Sequence, residues 1–200
     1  MEIKENCQVK FFMKKLTKFI MSKIKIKAGF LKGKNIYVPD FIRPTQDKVK
    51  KGIFDILENK VINSIFLDLF AGSGNIGIEA ISRGAKFCYF VEKSQKCIEV
   101  IKKNIRDLKI EDKTKIIKID AEKFVKKSEE KFNVIFADPP YNYKIKREFI
   151  INTLNILKEG LLILEISKRN KLNEINDLIK REVNYGETKI LFFGNLSGKF

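Results

Sequence analysis

The hydrophobic positions of this chain fall into short apolar runs separated by segments of helical spacing. Runs at 64–69, 86–91, 115–119, 132–137 and 161–166 have the length and apolar density of strands buried on both faces. Between them, apolar residues recur every three or four positions. A helix is predicted over 43–58, with Val49, Ile53, Ile56 and Leu57 on one face, and another over 94–108, with Ile98, Ile101, Ile105 and Leu108 inward behind Ser94 as N-cap. Further helices are predicted over 76–83, 121–127, 145–157 and 172–180. Residues 23–28 alternate Lys and Ile, 34–38 form a second β-like run, and Gly29 and Gly33 lie between them, so this stretch reads as a basic hairpin. A second hairpin, over 182–185 and 189–193, closes the chain.

Strands that alternate with helices imply an α/β fold, a parallel sheet covered by helices on both faces. In such folds ligands bind at the carboxyl ends of the strands. Asp68, Glu92, Asp120 and Asp138 all fall at predicted strand ends. Residues 1–20 show weak helical periodicity and no motif, and 1–22 are expected to be an extension preceding one domain over 23–200.

Composition narrows the chemistry. There is no histidine among the 200 residues, so His-dependent triads and imidazole metal sites are excluded, and no metal is expected. Cys7, Cys88 and Cys97 are odd in number and lack metal-ligand spacing, which suits a reduced, cytoplasmic protein. No stretch reaches the roughly 20 apolar residues of a membrane span. The formal charge of +16, from 41 Lys and Arg against 25 Asp and Glu, favours a polyanionic partner, nucleic acid first. The hairpin is either a lid on the core or a grip on phosphates.

Two motifs carry the chemistry. Asp68-Leu69-Phe70-Ala71-Gly72-Ser73-Gly74-Asn75-Ile76-Gly77 leaves a strand and enters a helix. Its glycines permit a tight turn and the close approach of a ligand, and Glu92 lies where a ribose-binding acid belongs. Without a Gly-Lys-Ser/Thr ending it is not a P-loop. The glycine spacing alone fits either a nicotinamide dinucleotide or S-adenosylmethionine. An Asp68 carboxylate would repel pyrophosphate but attract the amino group of methionine. Asp120 is either an acceptor for an adenine amine or the cap of the helix at Ala121. The second motif, Asp138-Pro139-Pro140-Tyr141, ends an apolar strand on an acid, two rigid prolines and an aromatic ring. It is a cradle for a planar group bearing an NH2.

Together these motifs resemble the class I S-adenosylmethionine-dependent amino-methyltransferases. Lys27-Ala28-Gly29, Lys32-Gly33-Lys34, Arg43-Pro44-Thr45-Gln46-Asp47-Lys48-Val49, Phe70-Ala71-Gly72-Ser73-Gly74, Ser82-Arg83-Gly84-Ala85, Val91-Glu92-Lys93 and Tyr185-Gly186-Glu187-Thr188-Lys189 resemble, more narrowly, the bacterial 16S rRNA guanine-N2 methyltransferase family. The likeness runs over about 23–193. It implies a Rossmann-like fold with a mostly parallel seven-stranded sheet. It also implies S-adenosylmethionine held by Asp68, Phe70, Ala71, Gly72, Gly74, Glu92 and Asp120, and catalysis by Asp138, Pro139, Pro140 and Tyr141. Substrate contacts would come from Arg43, Thr45 and Tyr141. The partner would be 16S rRNA or the small ribosomal particle, met by a monomer. The sequence departs from the family at Gln46, Asn75 and Ile119, and the last weakens the role of Asp120. Phe70, Ile76 and Ile81 read more simply as core positions. The competing readings are a DNA adenine-N6 methyltransferase, for which the chain has no room for a separate recognition domain, and a non-catalytic NAD-binding protein, which leaves the prolines unexplained. A protein glutamine methyltransferase usually has Asn at the place of Asp138.

Overall fold

Each apolar run becomes a strand, and the strands pair in an order that the linear pattern does not contain. The computed structural model describes residues 21–42, 45–170 and 174–194. Residues 1–20 of the predicted extension over 1–22, Cys7, Arg43 and the start of the predicted helix at 172 lie outside the described residues, while Met21 and Ser22 belong to the first strand of the domain.

The chain begins with the hairpin β1 (Met21–Lys25) and β2 (Asn35–Pro39), antiparallel with Ile24 opposite Ile36. Helix α1 (Asp47–Leu57) follows, starting four residues later than the predicted 43. Then come β3 (Ile65–Leu69), α2 (Asn75–Ser82), β4 (Phe87–Glu92), α3 (Gln95–Leu108), β5 (Thr114–Lys118), α4 (Ala121–Lys127), β6 (Phe132–Ala137), α5 (Arg147–Asn155), β7 (Leu157–Ser167), β8 (Arg181–Tyr185) and β9 (Thr188–Gly194). Ser94 caps α3 by accepting from Cys97 N. The seven-stranded sheet runs β5-β4-β3-β6-β7-β9-β8. Its first five strands are parallel, and β9 is antiparallel to both neighbours. The chain winds outward from β3 to β5 and then returns to place β6 on the other side of β3. That reversal creates a crevice at the carboxyl ends of β3 and β6.

Two apolar layers flank the sheet. One packs α1, α2, α3 and the hairpin on Phe66, Phe90, Phe136, Ile163 and Phe192. The other packs α4 and α5 on Leu67, Val91, Ile135, Leu164 and Phe193. The alternation of strand side chains divides the residues between the layers. Helix α2 is buried on every side, so a helix of eight residues is held by its surroundings rather than by propensity.

The predicted helix over 172–180 is corrected. From Glu174 onward the chain makes turns and a single 3-10 turn, Asn176–Leu178. Lys180 N then donates to Phe192 O at 2.9 Å, leading the segment into β8. A short segment depends on its tertiary surroundings rather than on its local pattern, and here the sheet edge supplies the backbone partners. Asp177 also binds both terminal nitrogens of Arg147, at 2.6 and 2.8 Å. The predicted helix over 145–157 is shorter too, because Leu157 already pairs with Phe132 in the sheet.

Candidate active site

The crevice holds a cavity of about 390 Å³ lined by residues from the ends of β3, β4, β5, β6, β7 and β9 and from the segment between β2 and α1. This volume is within the range of small-molecule sites. One half is formed by Phe70, Gly72, Val91, Glu92, Lys93, Ile119 and Ala121, the other by Asp138, Pro139, Pro140, Tyr141, Glu165, Ser167 and Thr188.

The glycine loop has a defined architecture. Gly77 N donates to the Asp68 carboxylate at 2.9 Å, and Gly74 N donates to Ala71 O at 2.7 Å. Gly72 N donates to Glu92 Oε2 at 2.9 Å, while Glu92 Oε1 accepts from Lys93 N and Ser94 N at 2.9 and 2.8 Å. Glu92 thus fixes its own turn and the loop opposite. Its carboxylate has more lone pairs than these three donors consume. Gly72 and Gly74 have φ of +56° and +77°, which an L side chain adopts only under strain. Phe70 adopts φ +60° as well, an uncommon conformation for an aromatic residue. Its ring is held edge-on by Tyr143 at 5.4 Å and tilted against Phe149 at 6.1 Å. Tyr143 N donates to Pro140 O at 2.8 Å and its hydroxyl donates to Glu122. These contacts tie the loop after β3 to the loop after β6.

Asp138 is half-buried, Pro139 buried, Pro140 exposed, and Tyr141 69% exposed at the rim. Desolvation by burial raises the Asp138 carboxyl well above its ordinary value of 3.8, and the charges of Glu165 and Asp68 raise it further. Burial raises Asp68 in the same way, against the lowering effect of the Gly77 N–H. Both acids therefore hold a proton more tightly than exposed carboxyls do.

The structure gathers Phe70, Gly72, Glu92, Thr45, Asp138, Pro139, Pro140 and Tyr141 around one cavity. Asp68, Ala71 and Gly74 sit behind the loop: Asp68 is 2% exposed and braces the start of α2. Asp120, between the lining residues Ile119 and Ala121, caps α4 by accepting from Glu122 N at 3.0 Å through Oδ1, with Lys93 at 3.7 Å from Oδ2. Residues that the sequence reading did not select also line the wall, namely Phe41, Ile42, Gln46, Tyr143, Glu165, Ser167, Asn170 and Thr188. Glu165 had a signal, since a charge inside the apolar run 161–166 is out of place in a strand buried on both faces. The cavity fits an adenosyl donor: an acid stands at the end of β4, a slot of Val91, Ile119 and Ala121 lies beside it, and a side-chain-free Gly72 allows close approach.

Known proteins are similar to this chain in sequence and fold. The sequence profile of the family described as conserved hypothetical protein 95 matches residues 24–194. Ribosomal RNA small subunit methyltransferase D of Buchnera aphidicola is 37% identical over 158 residues, covering 76% of this chain and 82% of that protein. The protein of the same name from Escherichia coli K12 is 31% identical over 150 residues, covering 74% of this chain and 73% of its own length. The solved structure of the Escherichia coli protein yhhF superposes with a TM-score of 0.77 at 28% identity, over 86% of this chain and 97% of that one. A seven-stranded sheet wound around an acid-and-proline crevice, and these identities over most of the chain, converge on one assignment: the chain belongs to the conserved hypothetical protein 95 family, that of the ribosomal RNA small subunit methyltransferases D.

Proposed function

We propose that this protein transfers the methyl group of S-adenosylmethionine to the exocyclic N2 amine of a guanine in the 16S rRNA of the small ribosomal subunit. The observation that carries the reading is the opening of the Asp138-Pro139-Pro140-Tyr141 turn onto the cavity that Glu92 and Gly72 line from the other side.

S-adenosylmethionine, when bound, supplies an electrophilic methyl group on a sulfonium. Glu92 would accept from the ribose hydroxyls, and Val91, Ile119 and Ala121 would enclose the adenine. Asp138 and the Pro139 carbonyl accept the two hydrogens of the guanine amine. A ring-conjugated amine is a poor nucleophile, and these two acceptors draw its nitrogen out of the plane so that its lone pair points at the methyl group. Once methylated, the nitrogen would lose a proton to the Asp138 carboxylate, which would pass it to solvent. Alignment supplies much of the acceleration. Tyr141, exposed at the rim, stacks on the extruded base, and Thr45 contacts the RNA beside it. Arg43, two residues before Thr45, is assigned the same role. The positive charge holds the phosphate backbone without reading sequence.

Labelled methyl transfer to 16S rRNA, to small-subunit particles and to DNA in parallel, followed by nucleoside analysis, tests the reading. N2-methylguanosine in the rRNA or the particles is expected. Label in DNA adenine, or in no nucleic acid, overturns it.

A further inference from the structure

The target half of the cavity contains a second acid. Ala137 of β6 pairs with Leu164 of β7, so Asp138 and Glu165 are the next residues along two adjacent parallel strands. They also share a face, because Val134 and Phe136 lead to Asp138 and Leu161 and Ile163 lead to Glu165 on the same side of the sheet. Both line the cavity with Pro139, Pro140 and Tyr141. Glu165 is 9% exposed in the run 161–166, otherwise of Leu and Ile, where packing alone would favour another apolar residue. The Glu165 charge also acts on Asp138, raising its affinity for a proton.

We infer that Glu165 is a specificity-determining residue, accepting the N1–H of guanine while Asp138 accepts from the neighbouring N2 amine. The inference rests on the proposed function. Guanine presents two adjacent donors on this edge, N1–H and N2–H, which match two adjacent carboxylates. Adenine presents a lone pair at N1 beside its amine, and the Glu165 carboxylate repels it. An acid-and-proline turn by itself grips any ring-conjugated amine; the neighbouring acid on β7 selects the ring. Drawing on the N1 proton also pushes electron density toward N2, in the direction that transfer requires.

The test uses rRNA in which the modified guanosine, mapped by the labelling above, is replaced by 2-aminopurine. This base keeps the amine but has a lone pair at N1. The wild-type protein is expected to prefer guanine by roughly 10- to 100-fold in kcat/KM, the scale of a paired base contact. Glu165→Gln, whose amide can donate to that lone pair, is expected to lose most of the guanine activity and to bring the preference to parity or reverse it. Glu165→Asp is expected to keep the preference at a lower rate. Wild-type protein that uses both bases equally overturns the inference with no variant involved, and so does a Glu165→Gln protein whose preference is unchanged. Wild-type protein that methylates no rRNA guanine overturns the proposed function itself.

Discussion

The Lys50 ammonium lies 3.1 Å from the Glu79 carboxylate, and the two side chains are 1% and 0% exposed. Glu79 also accepts from Lys27 N and Ala28 N, both at 3.0 Å, and from Arg83 Nε at 2.9 Å. Lys50 donates in addition to Asn75 Oδ1 at 3.0 Å. One carboxylate thus joins the hairpin, α1 and α2 at the residues that follow the glycine loop. Buried charges persist when every lone pair and proton is matched.

Breaking that pair is expected to be costly. Lys50→Met leaves Glu79 buried without its one fully buried charge partner among the described residues and is expected to lower unfolding free energy by about 3–5 kcal/mol. Denaturant titration measures it, and a loss below about 1 kcal/mol would show that Arg83 and the backbone donors suffice.

Methyl transfer by the wild-type protein should weaken on acidification with a midpoint well above the ordinary aspartate value of 3.8, because burial, Glu165 and Asp68 all raise Asp138. The ionised form is the acceptor, so activity is present above the midpoint and lost below it. Glu165→Gln removes one raising charge and is expected to move the midpoint down. Asp138→Ala should cut the rate by roughly 10²–10⁴-fold with little change in donor affinity by calorimetry. A pH-independent rate would remove Asp138 from the reaction.

Stability should follow the same acids with the sign fixed by their folded values. Asp68 and Asp138 are raised on folding, so their contribution is fully present below the unfolded value and is lost as pH rises through the folded one. Asp138→Asn is therefore expected to raise the melting temperature at neutral pH relative to the wild type and to lose that advantage in acid. Thermal scans across pH read this directly, and an advantage that grew on acidification would contradict it.

Gly29 has φ +79°, and a Cβ there would lie 1.6 Å from Ser82 O. Phe30 N donates to that same oxygen at 2.9 Å, and Leu31 N donates to Ser82 Oγ at 3.0 Å. Gly29→Ala is expected to push the hairpin off α2, with a loss of about 2–3 kcal/mol and faster hydrogen exchange at Phe30 and Leu31. Unaltered exchange at these two amides would mean that the loop absorbs the methyl group elsewhere.

Two tyrosines of one loop should separate by kinetics. Tyr141 is exposed, and Tyr141→Ala is expected to weaken RNA binding by about 1–3 kcal/mol while leaving the melting temperature unchanged. Tyr143 packs on Phe70 and Phe149 at 5.4 and 5.7 Å and donates to Glu122. Tyr143→Ala should instead lower stability by about 2 kcal/mol and reduce kcat through a loosened turn. The opposite pattern would exchange their roles.

Strand and helix identity along most of the chain is written in local order, because residue spacing decides which face is apolar and a buried strand needs an uninterrupted apolar run. The glycine loop, the strand-end acids and the Asp138 turn are legible for the same reason: each is a contiguous stretch whose backbone chemistry acts within a few residues. The segment 174–180 is not, since its fate depends on the distant partner Phe192, which meets Lys180 only once β9 is in place. The roles of the acids also needed the assembled molecule. Asp68 and Asp120 stand at strand ends as Glu92 and Asp138 do, yet one is buried beneath a helix start and the other caps a helix, because the turn after each strand decides where the carboxylate points. Glu165 enters the site because Leu164, just before it, pairs with Ala137 at the end of β6. Strand order and register arise from packing across the whole chain, and no local sequence pattern encodes which strand ends will meet.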